Sequence, residues 1–344
     1  MTGTATAPQA RGSLIALLRR YEEAGTPLTC EPVPLGLLNR GYEITTTRGR
    51  FFLKQYLAPD TADPGLIVRQ HRATSGLARL GLPATAPLTD IRGRTVARLG
   101  GYGYALFPWI EGSHREGTEL DTEQSGRLGA LLGAVHTGLA RIQPPPPAAE
   151  RRHPSAEAAR THAQIDQLLA LVRGHRPHDA FDALAEHRLL ERRALLRRLA
   201  HRRPPDADGP VSGWVHGDFH PLNLLYQGDE PAAIVDWDRL AVQPRAEEAV
   251  RAAAIFYVHP VDGRLDLRKV RPYARAYRAA AGVSAAEVAA AVHRVWWERL
   301  NDFWMLHWRY ERRDRRSDPL FPAASALAVW WTSEYEAVMD AFTN

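Results

Sequence analysis

Apolar and polar positions along this chain follow two rhythms, and the rhythm changes near residue 108. Strand-like runs rich in β-branched and aromatic residues stand at 42–47 and 50–56, joined by Arg48-Gly49, and again at 94–99 and 102–107. Helical spacing at Leu14, Leu17, Leu18 and Tyr21 predicts a short helix over 12–24. A second helix is expected over 63–80, where Gly81-Leu82-Pro83 supplies the stop. Beyond Pro108-Trp109-Ile110-Glu111-Gly112 helical spacing dominates. Asp121 is placed to cap a helix reaching Leu139, with Leu128, Leu131, Leu132 and Val135 on one face. Segments 156–173 and 178–202 read as a helical hairpin closed by Arg203-Pro204-Pro205, and Pro144-Pro145-Pro146-Pro147 as a stiff connector. Two helices are expected over 284–344, with Trp296, Phe303 and Trp304 on the first and Trp330, Trp331 and Tyr335 on the second, spaced for core packing. The pattern predicts an α+β protein, with a β-rich region at 1–107 and a larger, mainly helical region at 108–344. A length of 344 residues, too great for one compact core, agrees.

Within the helical region, a single stretch keeps strand character. The runs 224–226 and 232–235 flank Gln227-Gly228-Asp229-Glu230 and read as a hairpin. His216, Asp218 and His220 precede it, Asn223 opens it, and Asp236 follows its second strand. H-G-D-x-x-x-x-N followed by I-V-D is the spacing a phosphoryl-transfer site needs. Asp218 would orient an attacking hydroxyl and accept its proton, while Asn223 and Asp236 would hold Mg²⁺ at one end of the ribbon. A protein-kinase template has Arg where this chain has Gly217, and D-F-G where it has Asp236-Trp237-Asp238. That departure disfavours a protein kinase. His216 is expected to hydrogen-bond the loop backbone, Asp238 to cap the turn in preference to binding a second metal, and His220 is given no catalytic role. No second His/Cys pair at ligand spacing accompanies the histidines, so zinc is not expected.

Upstream, the loop of Gly36, Asn39 and Gly41 feeds the first hairpin and is placed to fold over nucleotide phosphates. The chain has two lysines, Lys54 and Lys269, against a large excess of arginine. Lys54 sits mid-strand after the glycine-bearing loop. Its ammonium is a point charge on a flexible stem, suited to the α and β phosphates.

HGDFHPLN followed by IVDWD closely resembles the aminoglycoside phosphotransferase and choline kinase families, small-molecule kinases with a protein-kinase-like fold. The resemblance runs by motif over about 35–260. It implies two lobes, a small β-rich N-lobe and a larger helical C-lobe, and an enzyme that uses ATP and Mg²⁺. The acceptor would be a hydroxyl of a small molecule, either an antibiotic such as an aminoglycoside or a related natural product. A primary-metabolite kinase for homoserine, choline or another amino alcohol, or a sugar, would share every motif. A nucleotide-binding regulator without turnover usually loses the Asp, Asn or Lys, and this chain keeps all three.

The resemblance also implies a glutamate on helix 63–80 paired with the strand lysine, and the corresponding residue here is Gln70. Adenine would be read by backbone groups from Ala105 to Phe107. Glu248 would hold the catalytic loop in shape. The acceptor would lie over the C-terminal helices, where Glu298 and Asp302, one turn apart, are candidate amine ligands. Arg294, Arg299, Arg309 and Arg312-Arg313 offset their charge, so a strongly acidic pocket for aminoglycosides is not expected.

Composition excludes several classes. The net charge is +5, but 44 basic residues interleave with 39 acidic ones, so no nucleic-acid footprint is expected. The lone Cys30 rules out an internal disulfide and fits a reducing compartment. The apolar run at 13–18 is short and meets Arg19-Arg20, and no stretch approaches membrane-spanning length. A cytoplasmic protein is expected, and its oligomeric state leaves no trace in the sequence.

Overall fold

The computed structural model describes residues 11–33, 39–57, 63–144, 154–206 and 212–344. Gly36 and Pro145, Pro146 and Pro147 lie outside the described residues. The strands are β1 (Pro27–Val33), β2 (Arg40–Thr46), β3 (Gly49–Tyr56), β4 (Ala97–Leu99), β5 (Tyr102–Pro108), β6 (Ser212–Val215), β7 (Leu224–Gln227), β8 (Glu230–Ile234) and β9 (Ala241–Pro244). The helices begin with α1 (Arg11–Leu18), α2 (Pro64–Arg79), α3 (Thr122–Ile142), α4 (Ala158–Gly174), α5 (Ala180–Leu199) and α6 (Arg245–Phe256). They continue with α7 (Leu267–Ala281), α8 (Ala285–Asn301), α9 (Trp304–Tyr310), α10 (Phe321–Ser333) and α11 (Tyr335–Thr343). Among the described residues no helix is long and apolar enough to cross a membrane.

The chain divides into two compact units. The first comprises Met1–His114, Arg141–Gln143 and Leu222–Leu240. Its antiparallel sheet has the order β1-β2-β3-β5-β4. Leu14, Leu17 and Leu18 of α1 pack with Ile44, Leu53 and Leu106 in one buried cluster, which is why alternation on β2, β3 and β5 was legible. Strand β1 escaped the sequence reading. It is an edge strand with prolines at both ends of its span and little alternation, and β2 recruits it by pairing Pro32 with Tyr42. The remote hairpin β7–β8 groups with this unit, through Ile234 N–H donating to the Pro83 carbonyl at 2.6 Å and Ser113 bonding both ways with Tyr226. Gly228, at φ 57, makes its two-residue turn.

The second unit comprises Arg115–Ala140, Pro144–Pro221 and Ala241–Asn344, and it is helical around the two-stranded ribbon β6–β9. Trp296, Trp297 and Trp331 are fully buried, so the aromatic stripe is core. The C-terminal region holds four helices rather than two. Asp302 leaves the helical region at φ −102, ψ 132 and ends α8, and Pro319 in the preceding turn and Pro322 in the first turn of α10 restart the helix.

Glycines let α3 approach α7. A Cβ at Gly129 would stand 2.1 Å from the Tyr273 carbonyl oxygen, and one at Gly133 2.9 Å from that of Tyr277. Gly→Ala in a helix interior normally gains roughly 0.5–1 kcal/mol. Gly129→Ala should instead cost about 1–3 kcal/mol, because backbone must move. A urea midpoint at or above that of the wild type would show that the helices separate freely.

Candidate active site

In the first unit, β3 and the end of β8 converge on a three-residue charge cluster. Lys54 Nζ donates to Asp236 Oδ1 at 2.9 Å and to Asp238 Oδ1 at 2.6 Å. Lys54 and Asp238 are nearly buried, whereas Asp236 keeps 48% of its side chain exposed. Burial works against the ammonium, but Asp238 and then Asp236 more than offset it and raise its pKa. Burial pushes the Asp238 carboxyl above its usual range, Lys54 pulls it back, and Asp236 adds to the push. Two carboxylates face one ammonium, so the cluster carries one negative charge.

Asp238 was expected to cap a turn. It is instead the buried partner of Lys54, and it also accepts from Asn39 Nδ2 at 2.6 Å. Asn39 itself accepts from the Leu57 N–H at 3.0 Å, so it ties the entrance of β2 to this cluster. Gln70 does not pair with Lys54. Its Nε2 donates to the Asp238 backbone carbonyl at 3.0 Å from a buried position on α2. A neutral amide cannot compete with two carboxylates for a buried ammonium, and it serves as a strut under the turn.

Asn223 and Asp236 stand at the same end of the hairpin. Leu224 pairs with Ile234, and one step further the Val235 N–H donates to the Asn223 carbonyl at 2.9 Å. Asp236 then turns sharply, with φ 57 and ψ 65. A non-glycine residue in this left-handed region costs about 1–2 kcal/mol. Ala105 and Phe107 lie on β5, with Ala105 opposite Lys54 and Phe107 opposite Phe52.

Behind the cluster, His71 is buried on α2, with Nε2 3.1 Å from the Tyr56 hydroxyl and Nδ1 2.7 Å from Thr95 Oγ1. Burial, helped by the Lys54 charge, lowers its pKa from the ordinary 6.5 to about 4. The folded pKa is depressed, so the unfolded chain binds the proton more readily. The contribution is whole above pH 6.5 and lost as pH falls from 6.5 towards 4. Wild type should lose about 3 kcal/mol more than His71→Gln across that window, as read by urea unfolding. Equal slopes would remove His71 as the titrating group.

In the second unit, the loop residues His216, Gly217 and Asp218 hang from α6. Glu248 is buried, and its Oε2 accepts from the His216 N–H at 3.1 Å and lies 2.7 Å from His136 Nε2. Its Oε1 accepts from the Gly217 N–H. Burial works to raise the Glu248 carboxyl, but the hydrogen bond and charge of His136, with His216 and Gly217, hold it below the usual range. His136, whose Nδ1 lies 3.1 Å from the Tyr277 hydroxyl on α7, carried no motif and was invisible in the sequence. Gly217 sits at φ 86, where a side chain is strained. This explains why glycine stands where a protein-kinase template has arginine. The Asp218 N–H donates to His216 Nδ1 at 3.2 Å, while 40% of the Asp218 side chain is exposed. Buried groups thus fix the backbone of a residue whose carboxylate faces outward. His220 Nε2 lies 3.7 Å from Asp218 Oδ2.

Glu298 and Asp302, expected as amine ligands, each already accept a hydrogen bond within the second unit. Glu298 accepts from Arg251 Nη1 at 3.0 Å, and Asp302 accepts from the Trp304 N–H at 3.0 Å, starting α9. Arg251 also reaches Glu247 at 3.4 Å and Gln243 at 2.9 Å.

A family model described as the phosphotransferase enzyme family, APH, matches residues 29–283, most of the chain. The chain belongs to this family. It is a small-molecule kinase, an ATP:hydroxyl phosphotransferase. Among curated relatives, a homoserine kinase of Methylobacillus flagellatus is 23% identical over 305 residues, 83% of each chain. Among solved structures, an amicoumacin kinase in complex with AMP-PNP, Ca²⁺ and Ami has TM-score 0.62 at 16% identity, over 96% of this chain and 93% of its own. A spectinomycin phosphotransferase in complex with ADP and spectinomycin has TM-score 0.61 at 14% identity, over 96% and 97%. The five-stranded sheet followed by helices is therefore the kinase-like fold of APH phosphotransferases.

Proposed function

We propose that this phosphotransferase moves the γ-phosphoryl group of ATP to a hydroxyl of a small molecule, with Asp218 as the base. Residues 1–107 would hold the nucleotide, and 108–344 would bring the catalytic loop and the acceptor. The reading rests above all on the Lys54–Asp236–Asp238 cluster. Asp236 is held in a strained conformation, half exposed, at the hairpin end that also carries Asn223. Strain of this kind concentrates where function requires it.

The donor set of Asn223 and Asp236 is an amide and a carboxylate, hard oxygen ligands that suit Mg²⁺. Bound with ATP, the cation neutralises charge on the phosphate oxygens. Lys54, kept in place by buried Asp238, would reach the α and β phosphates once Asp236 turns to the metal. Backbone groups of Ala105 and Phe107 would bind adenine. The Gly36 loop would cover the phosphates, with Asn39 fastening its end. Asp218 would orient the acceptor hydroxyl and take its proton as the new O–P bond forms and the bond to ADP breaks.

The similarity to a homoserine kinase across 83% of both chains puts homoserine first among acceptors. Antibiotics follow, on the fold likeness to amicoumacin and spectinomycin kinases. Mass spectrometry of a pooled panel of homoserine, amino alcohols, sugars and antibiotics with Mg-ATP tests the reading. One compound should gain a phosphoryl group with the wild type and not with Asp218→Ala. Failure of the chain to bind Mg-ATP would remove the roles of Lys54, Asn223 and Asp236 together. Nucleotide binding with no transfer to any panel member would favour a regulator.

A further inference from the structure

Buried cations in excess of their counterions are costly, because a guanidinium taken from water must recover its solvation from partners. In the second unit, α5, the α8–α9 junction and α10 line a half-open cavity of about 70 Å³. A single water needs roughly 10–15 Å³, so there is room for a polyatomic group. Arg188, Arg192 and Arg299 line it, and the Nε of each is buried with no hydrogen-bond partner. Arg192 is 4% exposed. It donates through Nη1 to the Arg299 carbonyl and stacks over Phe303 at 5.5 Å, contacts that bring no negative charge.

One carboxylate, that of Asp302, also lines the cavity, so its wall holds the guanidinium groups of Arg192 and Arg299 against a single opposing charge that favours both. Glu191 pairs with Arg188 at 2.6 Å, and Asp302 accepts from the Trp304 N–H. No described carboxylate forms an ion pair with Arg192 or Arg299. Burial lowers the pKa of Arg192 to about 10 and lowers that of Arg299, although the charge of Asp302 works to raise both.

We propose that this cavity binds a small oxyanion, the carboxylate or phosphate of a metabolite, through the guanidinium forks of Arg192 and Arg299. Arginine forks match the planar geometry of both groups and give charge-assisted bonds. Phe303, Trp304 and Phe321 form the apolar side of the wall, which favours an anionic group on a short carbon skeleton over a bare, strongly hydrated ion. Two sources fit this chemistry: the acceptor itself, if it bears a carboxylate, or a separate metabolite that reports on phosphate or acid supply. The site does not depend on the catalytic roles assigned above.

Calorimetric titration of the full chain with inorganic phosphate, and separately with acetate, tests the proposal. Phosphate or acetate should bind the wild type in the millimolar range or tighter. Arg192→Met and Arg299→Met should each weaken that binding about tenfold or more, the value of one charge-assisted contact. Arg299 is only partly buried, which makes its variant the safer one to fold. Absence of binding to the wild type, or binding that neither substitution weakens, overturns the proposal. Kinetics with homoserine and 3-aminopropan-1-ol, the same skeleton without the carboxylate, separate the sources. A raised KM for homoserine alone in Arg192→Met, at unchanged kcat, assigns the site to the acceptor. Unchanged kinetics beside lost phosphate binding assigns it to a free anion.

Discussion

Asp218→Ala is expected to reduce kcat by about 10²–10⁴-fold, the range for loss of a general base, while Mg-ATP affinity stays near that of the wild type. The separation follows from how the loop is held. The backbone of His216, Gly217 and Asp218 is fixed by Glu248 and His216 Nδ1, and none of those bonds uses the Asp218 carboxylate. Removing that carboxylate should therefore leave the loop in place. Asp218→Asn tests the same point with the shape retained, since the amide still orients a hydroxyl but takes no proton. Single-turnover transfer and nucleotide titration on the same preparations provide the check. Retained turnover in Asp218→Ala would take the proton-accepting role from this residue, and lost nucleotide binding would show that the loop had collapsed.

Glu248→Ala should be the most damaging substitution for stability, at about 3–5 kcal/mol. The carboxylate meets the buried His216 N–H and His136, and the partly buried Gly217 N–H. Each donor left buried and unpaired costs roughly 1–3 kcal/mol. Glu248→Gln keeps an accepting oxygen and should lose about half as much. The carboxyl's pKa is held below its ordinary 4.5, so its contribution is present above pH 4.5 and lost as pH falls through the folded value. Urea unfolding at pH 7 and at acid pH reads both effects. Activity should fall in the alanine variant even where the protein remains folded, because Asp218 is positioned through this carboxylate. A loss under about 1 kcal/mol would mean that water satisfies these donors and the site is less closed.

The helical anchor of that network was half legible. Glu248 could be placed only through the family resemblance, which implies an acidic residue in the helix after the hairpin. His136 could not, because a histidine on a leucine-rich helix looks like any other polar interruption. Its role depends on α3 meeting α7 across Gly129 and Gly133. Gln70 shows the opposite error. Its position on α2 was readable, but its partner is the Asp238 carbonyl rather than Lys54, since hydrogen-bond choice follows the nearest charge and not the template.

By itself the sequence determined what is local. Alternation marked the central strands, turn residues marked the hairpins, and H-G-D-x-x-x-x-N with I-V-D marked the phosphotransferase chemistry, because each is set by residues close together along the chain. Tertiary structure decided what depends on burial and on contacts remote in sequence. It added the edge strand β1 and split the C-terminal region into four helices. It made Asp238 the counterion of Lys54 across 184 positions. It placed Arg192 and Arg299 beside one cavity, although they are separated by 107 positions. Those pairings follow from which charges are taken out of water together, and no pattern along a chain records that before it folds.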